Sequence, residues 1–336
     1  MGSAEYVLSV DGGNTKSIAL VSRLDGSVVG VGRGGCSDIY TNPDPEVPLR
    51  EIDAAVWRAL GMAGAEAPDL RAGAFSLAGA DWPEDFAFLR EAMGKRGLGK
   101  EIVVVNDSVG ALRAASPGGP AVVVVCGTGA NTAARAADGT VWHTSWWQDP
   151  QGGHQLGTKT LRAVYNAELG VDPPTALTGA VLKHFGQESV EDVLHLFTTR
   201  AAFHGGGPSS GQVSGLTRVL LDAAARGDET ACRIVREHGE ALGDYALAAA
   251  RRVGILDLPF TLALAGGVLR HPNTLLPESL VARVEAVCPQ AKPVVSPFEP
   301  AVGALFLALE AAGVEVDEQV LARVTATLPD ATLFET

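Results

Sequence analysis

The sequence predicts an α/β protein of two lobes facing one cleft, and three observations carry that expectation. The run Val7-Leu8-Ser9-Val10 reads as a buried strand that delivers Asp11 into a turn of small residues, Gly12-Gly13-Asn14-Thr15-Lys16. The same plan returns from Val122 to Val125, where a strand enters Cys126-Gly127-Thr128-Gly129-Ala130-Asn131-Thr132. Each unit then continues as a hairpin through Asp-Gly, at Asp25-Gly26 and at Asp138-Gly139, a strong local signal for strand reversal. A strand, a glycine turn and a hairpin opening each half of the chain point to an internal duplication.

The elements follow in order. Strands are expected over residues 18–22 and 27–31, and a helix over 48–61, where Leu49, Ile52, Ala55, Val56 and Leu60 fall at helical spacing. Residues 73–79 read as a buried strand ending in a small-residue turn, 86–93 as helix, 102–105 as strand and 109–115 as helix. Ser116-Pro117-Gly118-Gly119-Pro120 is the clearest linker, and it sets the expected division into lobes at 1–118 and 119–336. The second half is more helical, with periodic stretches at 161–169, 176–185, 190–197, 214–225 and 229–253. A flexible connection is expected at 203–211, a late strand at 260–265 running into Gly266-Gly267, and an apolar helix at 301–312.

At 336 residues the chain can bury two cores, and 46% hydrophobic with 19% charged residues is an ordinary globular composition. Lys and Arg number 26 against 39 Asp and Glu, a net charge of −13, and no basic run is present. That balance disfavours nucleic acid and anionic membranes as partners. A small anionic ligand would need a local positive site, which glycine-turn amides and a metal ion supply. The cysteines Cys36, Cys126, Cys232 and Cys288 lie far apart, as expected of reduced thiols in a cytoplasmic chain. No apolar run approaches the ~20 residues that span a bilayer, and the N-terminal residues lack the signal-peptide pattern.

Several residues stand where chemistry is expected. Asp11 ends a strand at the rim of the first turn, where a carboxylate would hold Mg²⁺ through water; the plainer role is capping backbone amides. The amides of Gly12, Gly13 and Asn14 would cradle phosphate oxygens, with Thr15 and Lys16 meeting them as the chain leaves the turn. Gly127-Thr128-Gly129 would offer amides and a hydroxyl to the β- and γ-phosphates. Asn106-Asp107-Ser108 lies between a strand and a helix, and so reads either as an N-cap or as a general base at a strand's carboxyl end. Both hold if Ser108 caps while Asp107 faces the cleft. Gly266-Gly267 offers a flat surface for a purine, or tight strand–helix packing. The stretch 152–160 nearly spells a P-loop, but Thr158 intervenes before Lys159 and no convincing buried strand precedes it.

With these residues in view, the chain resembles the sugar-kinase/Hsc70/actin superfamily. Within it, the chain is similar to the N-acetylglucosamine kinase and BadF/BadG/BcrA/BcrD ATPase family. Asp11-Gly12-Gly13-Asn14-Thr15-Lys16 resembles the first phosphate motif and Gly127-Thr128-Gly129-Ala130-Asn131 the second. Asn106-Asp107-Ser108 falls at the family's catalytic aspartate, and Ala265-Gly266-Gly267-Val268 at its adenosine motif. Pro300-Ala301-Val302-Gly303-Ala304 resembles its C-terminal signature. The resemblance implies two ribonuclease-H-like (actin-like ATPase) lobes around a hinged cleft. It also implies ATP with Mg²⁺, phosphorylation of a sugar hydroxyl with Asp107 as base, and a homodimer. On the sugar side it implies contacts from Asp38, Asn42, Asp81, Asp107, Gly153 and His154. There Gly153-His154-Gln155-Leu156-Gly157 stands where the family carries Gly-Asp-Glu-Gly-Ser, so the family's acid is absent. Two other readings remain. One is an ATPase activator of 2-hydroxyacyl-CoA dehydratases, whose bridging cysteines the scattered ones here do not match. The other is an actin-like sensor binding ATP without a sugar, which the Asn106-Asp107 pair disfavours.

Overall fold

A computed structural model describes residues 5–149 and 152–334; the ends of the two expected lobes and Pro150 lie outside it. The first sheet contains β1 (Tyr6–Gly12), β2 (Ser17–Arg23), β3 (Val28–Gly34), β4 (Leu70–Leu77) and β5 (Glu101–Asn106), in the order β3-β2-β1-β4-β5. The second contains β6 (Ala121–Cys126), β7 (Ala130–Arg135), β8 (Val141–His143), β9 (Thr261–Ala265) and β10 (Lys292–Val295), in the order β10-β9-β6-β7-β8. Read from the hairpin end, the two orders are the same. In each, an antiparallel meander is followed by two parallel strands. The duplication visible in sequence is therefore a duplication of topology.

The hairpins form where Asp-Gly directs them. Gly26 and Gly139 take φ of +92° and +90°, which an L side chain resists, and the preceding carboxylates accept from the N–H groups of Ser27 and Thr140 at 2.9 Å. Helix α1 (Glu46–Ala63) lies directly on β3, because a Cβ at Gly30, Gly32 or Gly34 would come within about 2 Å of the α1 carbonyls of Ala59, Ala55 or Glu51. With α2 (Pro83–Lys95), it covers one face of the first sheet.

The other face is covered by the end of the chain. Helices α10 (Pro300–Ala311) and α11 (Glu318–Thr327) pack through Val302, Leu305, Phe306, Val320 and Val324 against Val7, Ile18, Leu20, Ala72 and Ala74. A division at 118/119 assigns these helices to the second half, but the core joins them to the first sheet. The physical reason is that β1 is apolar on both faces and needs cover on each. Five further helices fill the stretch between β8 and β9: α4 (Gly153–Glu168), α5 (Leu177–Phe185), α6 (Val190–Thr198), α7 (Ser210–Ala225) and α8 (Glu229–Arg252). They build the second core with α9 (Leu275–Glu285). Elements α9, β10 and α11 fall where no element is expected from the sequence.

The lobes are joined by α3 (Asp107–Ala115) crossing α10. A Cβ at Gly303 would stand 1.9 Å from the carbonyl of Gly110, so the helices touch backbone to backbone. Next to that contact, buried Arg113 donates to Glu310 at 2.7 Å and lies over the Phe306 ring at 5.0 Å.

Candidate active site

Both glycine turns open at the carboxyl ends of their central strands, the side where open sheets bind ligands. They meet there: Thr15 Oγ1 and Thr128 Oγ1, 113 residues apart in sequence, lie within 3.4 Å. The first turn is closed by the Gly13 N–H on the Lys16 carbonyl at 2.9 Å, and its Gly12 carbonyl accepts from Ala78 at 2.7 Å. Asn14 and Thr15 stand exposed at its tip. Lys16 Nζ donates to the Phe334 carbonyl, and burial followed by nearby Arg33 holds its pKa below the usual range. The second turn closes with Gly127 N–H on the Gly129 carbonyl at 2.8 Å. The first amides of α4 tie it back, Gly153 N–H to the Gly127 carbonyl at 2.7 Å and His154 N–H to the Thr128 carbonyl at 3.1 Å.

Two carboxylates face this mouth. Burial, then the charge of Asp107, pushes Asp11 up to about 7, with Lys16 opposing. Burial likewise pushes Asp107 up to about 6, opposed by a hydrogen bond from Asn131 and aided by Asp81 and Asp38. The cap of α3 differs from the expectation. Asn106, rather than Asp107 or Ser108, is the N-cap, its Oδ1 accepting from Ser108 N–H at 3.1 Å. Asp107 is therefore relieved of capping and sits in the first turn, where the helix N-terminus favours an anion.

The acids of the expected sugar side lie around this point. Asp81 accepts from Asn106 Nδ2 at 2.9 Å and from Ser145 Oγ at 2.7 Å, a bond that crosses between lobes. Asp38 caps the short helical turn Ile39–Thr41, and burial, then Asp81 and Asp85, hold its pKa above the usual carboxylate range. Asn42 follows that turn and accepts from the Asp44 N–H at 2.9 Å. Gly153 is buried in the first turn of α4; its carbonyl accepts from Thr217 Oγ1 at 2.7 Å. His154 is exposed beside it, with Nδ1 3.2 Å from Ser210 Oγ. Residues 153–157 form the first turn of α4, ahead of the helical periodicity expected from 161, and the segment before them, after β8, carries Asp149. Gly266 has φ +94°, and a Cβ there would stand 2.3 Å from the Cys126 carbonyl, whereas Gly267 faces open space. The first glycine thus serves packing and the second leaves a clear surface.

Sequence reasoning missed other residues here. Tyr40 donates to Asp85 Oδ2 at 2.9 Å and meets Trp146 edge to face at 5.3 Å, forming an aromatic wall that joins the lobes. Asn131 bridges to both Asn106 and Asp107. Its place in the second glycine motif is the one signal that could have marked it. Among the described residues no group of three or more acid, histidine or cysteine side chains forms a metal cage. What remains is a strand-end carboxylate whose pKa is raised by burial and a second acid. That donor fits a hydrated Mg²⁺ carried largely by phosphates.

Duplicated meander-plus-parallel sheets, two converging glycine turns and the acids at the ends of β1 and β5 define the two-lobed, actin-like ATPase class. Within it the chain belongs to the BadF/BadG/BcrA/BcrD ATPase family, whose model matches residues 8–308. It is 27% identical over 278 residues to an N-acetylmuramic acid/N-acetylglucosamine kinase of Clostridium acetobutylicum, covering 82% of this chain and 89% of that one. It is 24% identical over 322 residues to an N-acetyl-D-glucosamine kinase of Dictyostelium discoideum, covering 91% and 98%. The fold is shared with a ROK family glucokinase of Streptomyces griseus solved with glucose and AMPPNP. There the TM-score is 0.58 at 17% identity, over 91% of this chain and 99% of that chain.

Proposed function

We propose that this protein transfers the γ-phosphoryl group of ATP to a hydroxyl of an amino sugar, with Asp107 as the general base. The observation that carries this reading is the meeting of the Thr15 and Thr128 turns beside Asp11 and Asp107. The turns would hold the triphosphate through backbone amides, Thr15, Lys16 and Thr128, with Gly266 and Gly267 against the base. Asp11 would hold Mg²⁺ through water, and that ion supplies charge neutralisation on the phosphate oxygens. Asp107 would orient the acceptor hydroxyl and take its proton as the phosphorus–oxygen bond forms. Closure of the lobes would exclude water and limit wasteful hydrolysis.

On the acceptor side, Asp38 and Asp81 would accept from sugar hydroxyls, with Asn42, Gly153 and His154 at the margin, and the Tyr40–Trp146 wall would cover an apolar ring face. The acids Asp38, Asp81 and Asp107 gathered at one mouth favour a neutral or cationic sugar, glucosamine above all, over one bearing a carboxylate. A homodimer and a cytoplasmic place of action belong to the same proposal, supported by likeness to the family.

The test is ATP-dependent phosphorylation across glucosamine, N-acetylglucosamine, N-acetylmuramic acid and neutral hexoses, with product mapping. One amino sugar turned over well above the rest is the expected result. ATP hydrolysis at one rate regardless of sugar would overturn the reading in favour of a plain ATPase.

A further inference from the structure

Asn131 stands on β7 at the exit of the second glycine turn, and its side-chain amide is held at both ends. Its Oδ1 accepts from the N–H of Thr132 at 2.9 Å, from the N–H of Ser145 at 3.0 Å and from Thr144 Oγ1 at 2.9 Å. The Thr144 hydroxyl has one proton and also lies 2.8 Å from the Gln148 amide, whose Nε2 is buried without a partner. Turning that amide so that its nitrogen donates to Thr144 leaves the hydroxyl proton for Asn131. Even without it, two backbone N–H groups fix which end of Asn131 is oxygen. The nitrogen must then face the other lobe, where it donates to Asn106 Oδ1 at 2.9 Å and Asp107 Oδ1 at 3.2 Å.

The support for this arrangement is strained. Ser145 has φ +37°, the one positive φ outside glycine among the described residues. That conformation is strained for a residue with a side chain and persists only where its surroundings over-determine it. Here the strain turns the Ser145 N–H toward Asn131 while its hydroxyl reaches Asp81 across the cleft, with His143 Nδ1 2.6 Å behind it.

We propose that Asn131 is the positioning residue for Asp107: the second lobe, through Asn131 and the left-handed corner at Ser145, aims the carboxylate borne by the first. One Asp107 oxygen is occupied by the amide, which leaves the other for the acceptor hydroxyl. Acidic groups face Asp107 from three elements: Asp11 from β1, Asp38 from the turn before α1, and Asp81 from the turn after β4. Asn131 and the Ser108 amide are the neutral donors that oppose them. This inference rests on the reading of Asp107 as base.

The decisive variant is Asn131→Asp, which keeps the shape and the accepting oxygen but removes the donor to Asp107. It is expected to lower kcat about 10²-fold, the scale of a misaimed catalytic group, with KM for ATP and sugar within about threefold of the parent. As pH falls, the introduced carboxyl shares a proton with Asp107 and becomes a donor again. The variant's pH optimum should therefore move to the acid side, while Asn131→Ala loses rate without that shift. Thermal midpoints and calorimetric ATP affinity, read alongside, separate misfolding from misaiming. Asn131→Asp at the parent rate, or slowed with an unmoved pH optimum, overturns the positioning role while Asp107→Asn is inactive. Asp107→Asn at the parent rate would instead overturn the reading beneath it.

Discussion

The two lobes share one strand order but differ at the equivalent point of their central strands. Asp11 stands one residue before the end of β1, half-buried; Val125 holds that place in β6, and the last residue there, Cys126, is buried in the second core. Burial pushes Asp11 up to about 7 and Cys126 up to about 12, so near neutral pH the acid titrates and the thiol stays protonated. One copy of the duplicated unit thus brings charge, and the other brings only amides and a hydroxyl. The lobes differ in bulk as well: a single helix, α1, lies between β3 and β4, whereas α4 to α8 lie between β8 and β9. A backbone cradle needs small residues rather than particular side chains, so both turns keep glycine while the acid is needed once.

The sharpest break of this asymmetry is at the acids. Asp107→Asn is expected to lower kcat by ~10²–10⁴-fold, the range of general-base assistance, with little change in ATP affinity measured by calorimetry. Asp11→Asn should lose about 10²-fold and weaken the dependence of rate on Mg²⁺. The same substitution should stabilise the ligand-free protein at neutral pH. A carboxyl whose folded pKa exceeds its unfolded 3.8 binds its proton more tightly when folded. Its presence therefore erodes stability as pH rises from 3.8 through about 7. Removing it should raise stability at pH ~7.5 by on the order of 1–2 kcal/mol, since water in the cleft screens part of the burial penalty. An equal thermal midpoint for Asp11→Asn and parent across that range would show that Asp11 carries no such strain.

The pH profile of catalysis sharpens the comparison next. In the proposed role Asp107 must be ionised to accept a proton, and its pKa, raised to about 6, would set the acid limb of kcat/KM. Rate should therefore fall below about pH 6, and Cys126→Ser should leave that limb in place. A limb near pH 4 would mean that Asp107 titrates as an ordinary carboxylate.

What was legible in the sequence follows the same division. β1 and β6 are buried on both faces and read as continuous apolar runs, and Asp-Gly marks both hairpins. β10 was not legible because its residues are all exposed and Pro293 interrupts it, the signature of an edge strand. In α9 the buried Leu276, Leu280 and Val284 recur every four residues, but Pro277 beside them reads as a breaker. The helical start at 153–157 was not legible, because glycine is a poor helix former. The stretch is helical because a Cβ at Gly157 would stand 1.9 Å from the Val213 carbonyl, so close helix packing selects glycine there. Asp11 and Asp107 were legible as strand-end acids. The work of Asn131 was not, since it depends on a strained corner at Ser145 that no residue pattern announces.

The smallest effect is expected at the other end of the asymmetry. Cys126 is wholly buried and belongs to the core that holds Val122, Val124 and Leu156. Cys126→Ala removes one heavy atom from a tight core, which should cost about 1 kcal/mol in thermal or denaturant unfolding. The turn beyond it is held by main-chain bonds, Val268 N–H to the Cys126 carbonyl at 3.1 Å and Gly127 N–H to the Gly129 carbonyl at 2.8 Å, which the substitution leaves intact. Turnover should then stay within about twofold of the parent. A large loss of kcat with unchanged stability would mean that the thiol acts at the phosphates after all, and the division into a charged and a neutral turn would be wrong.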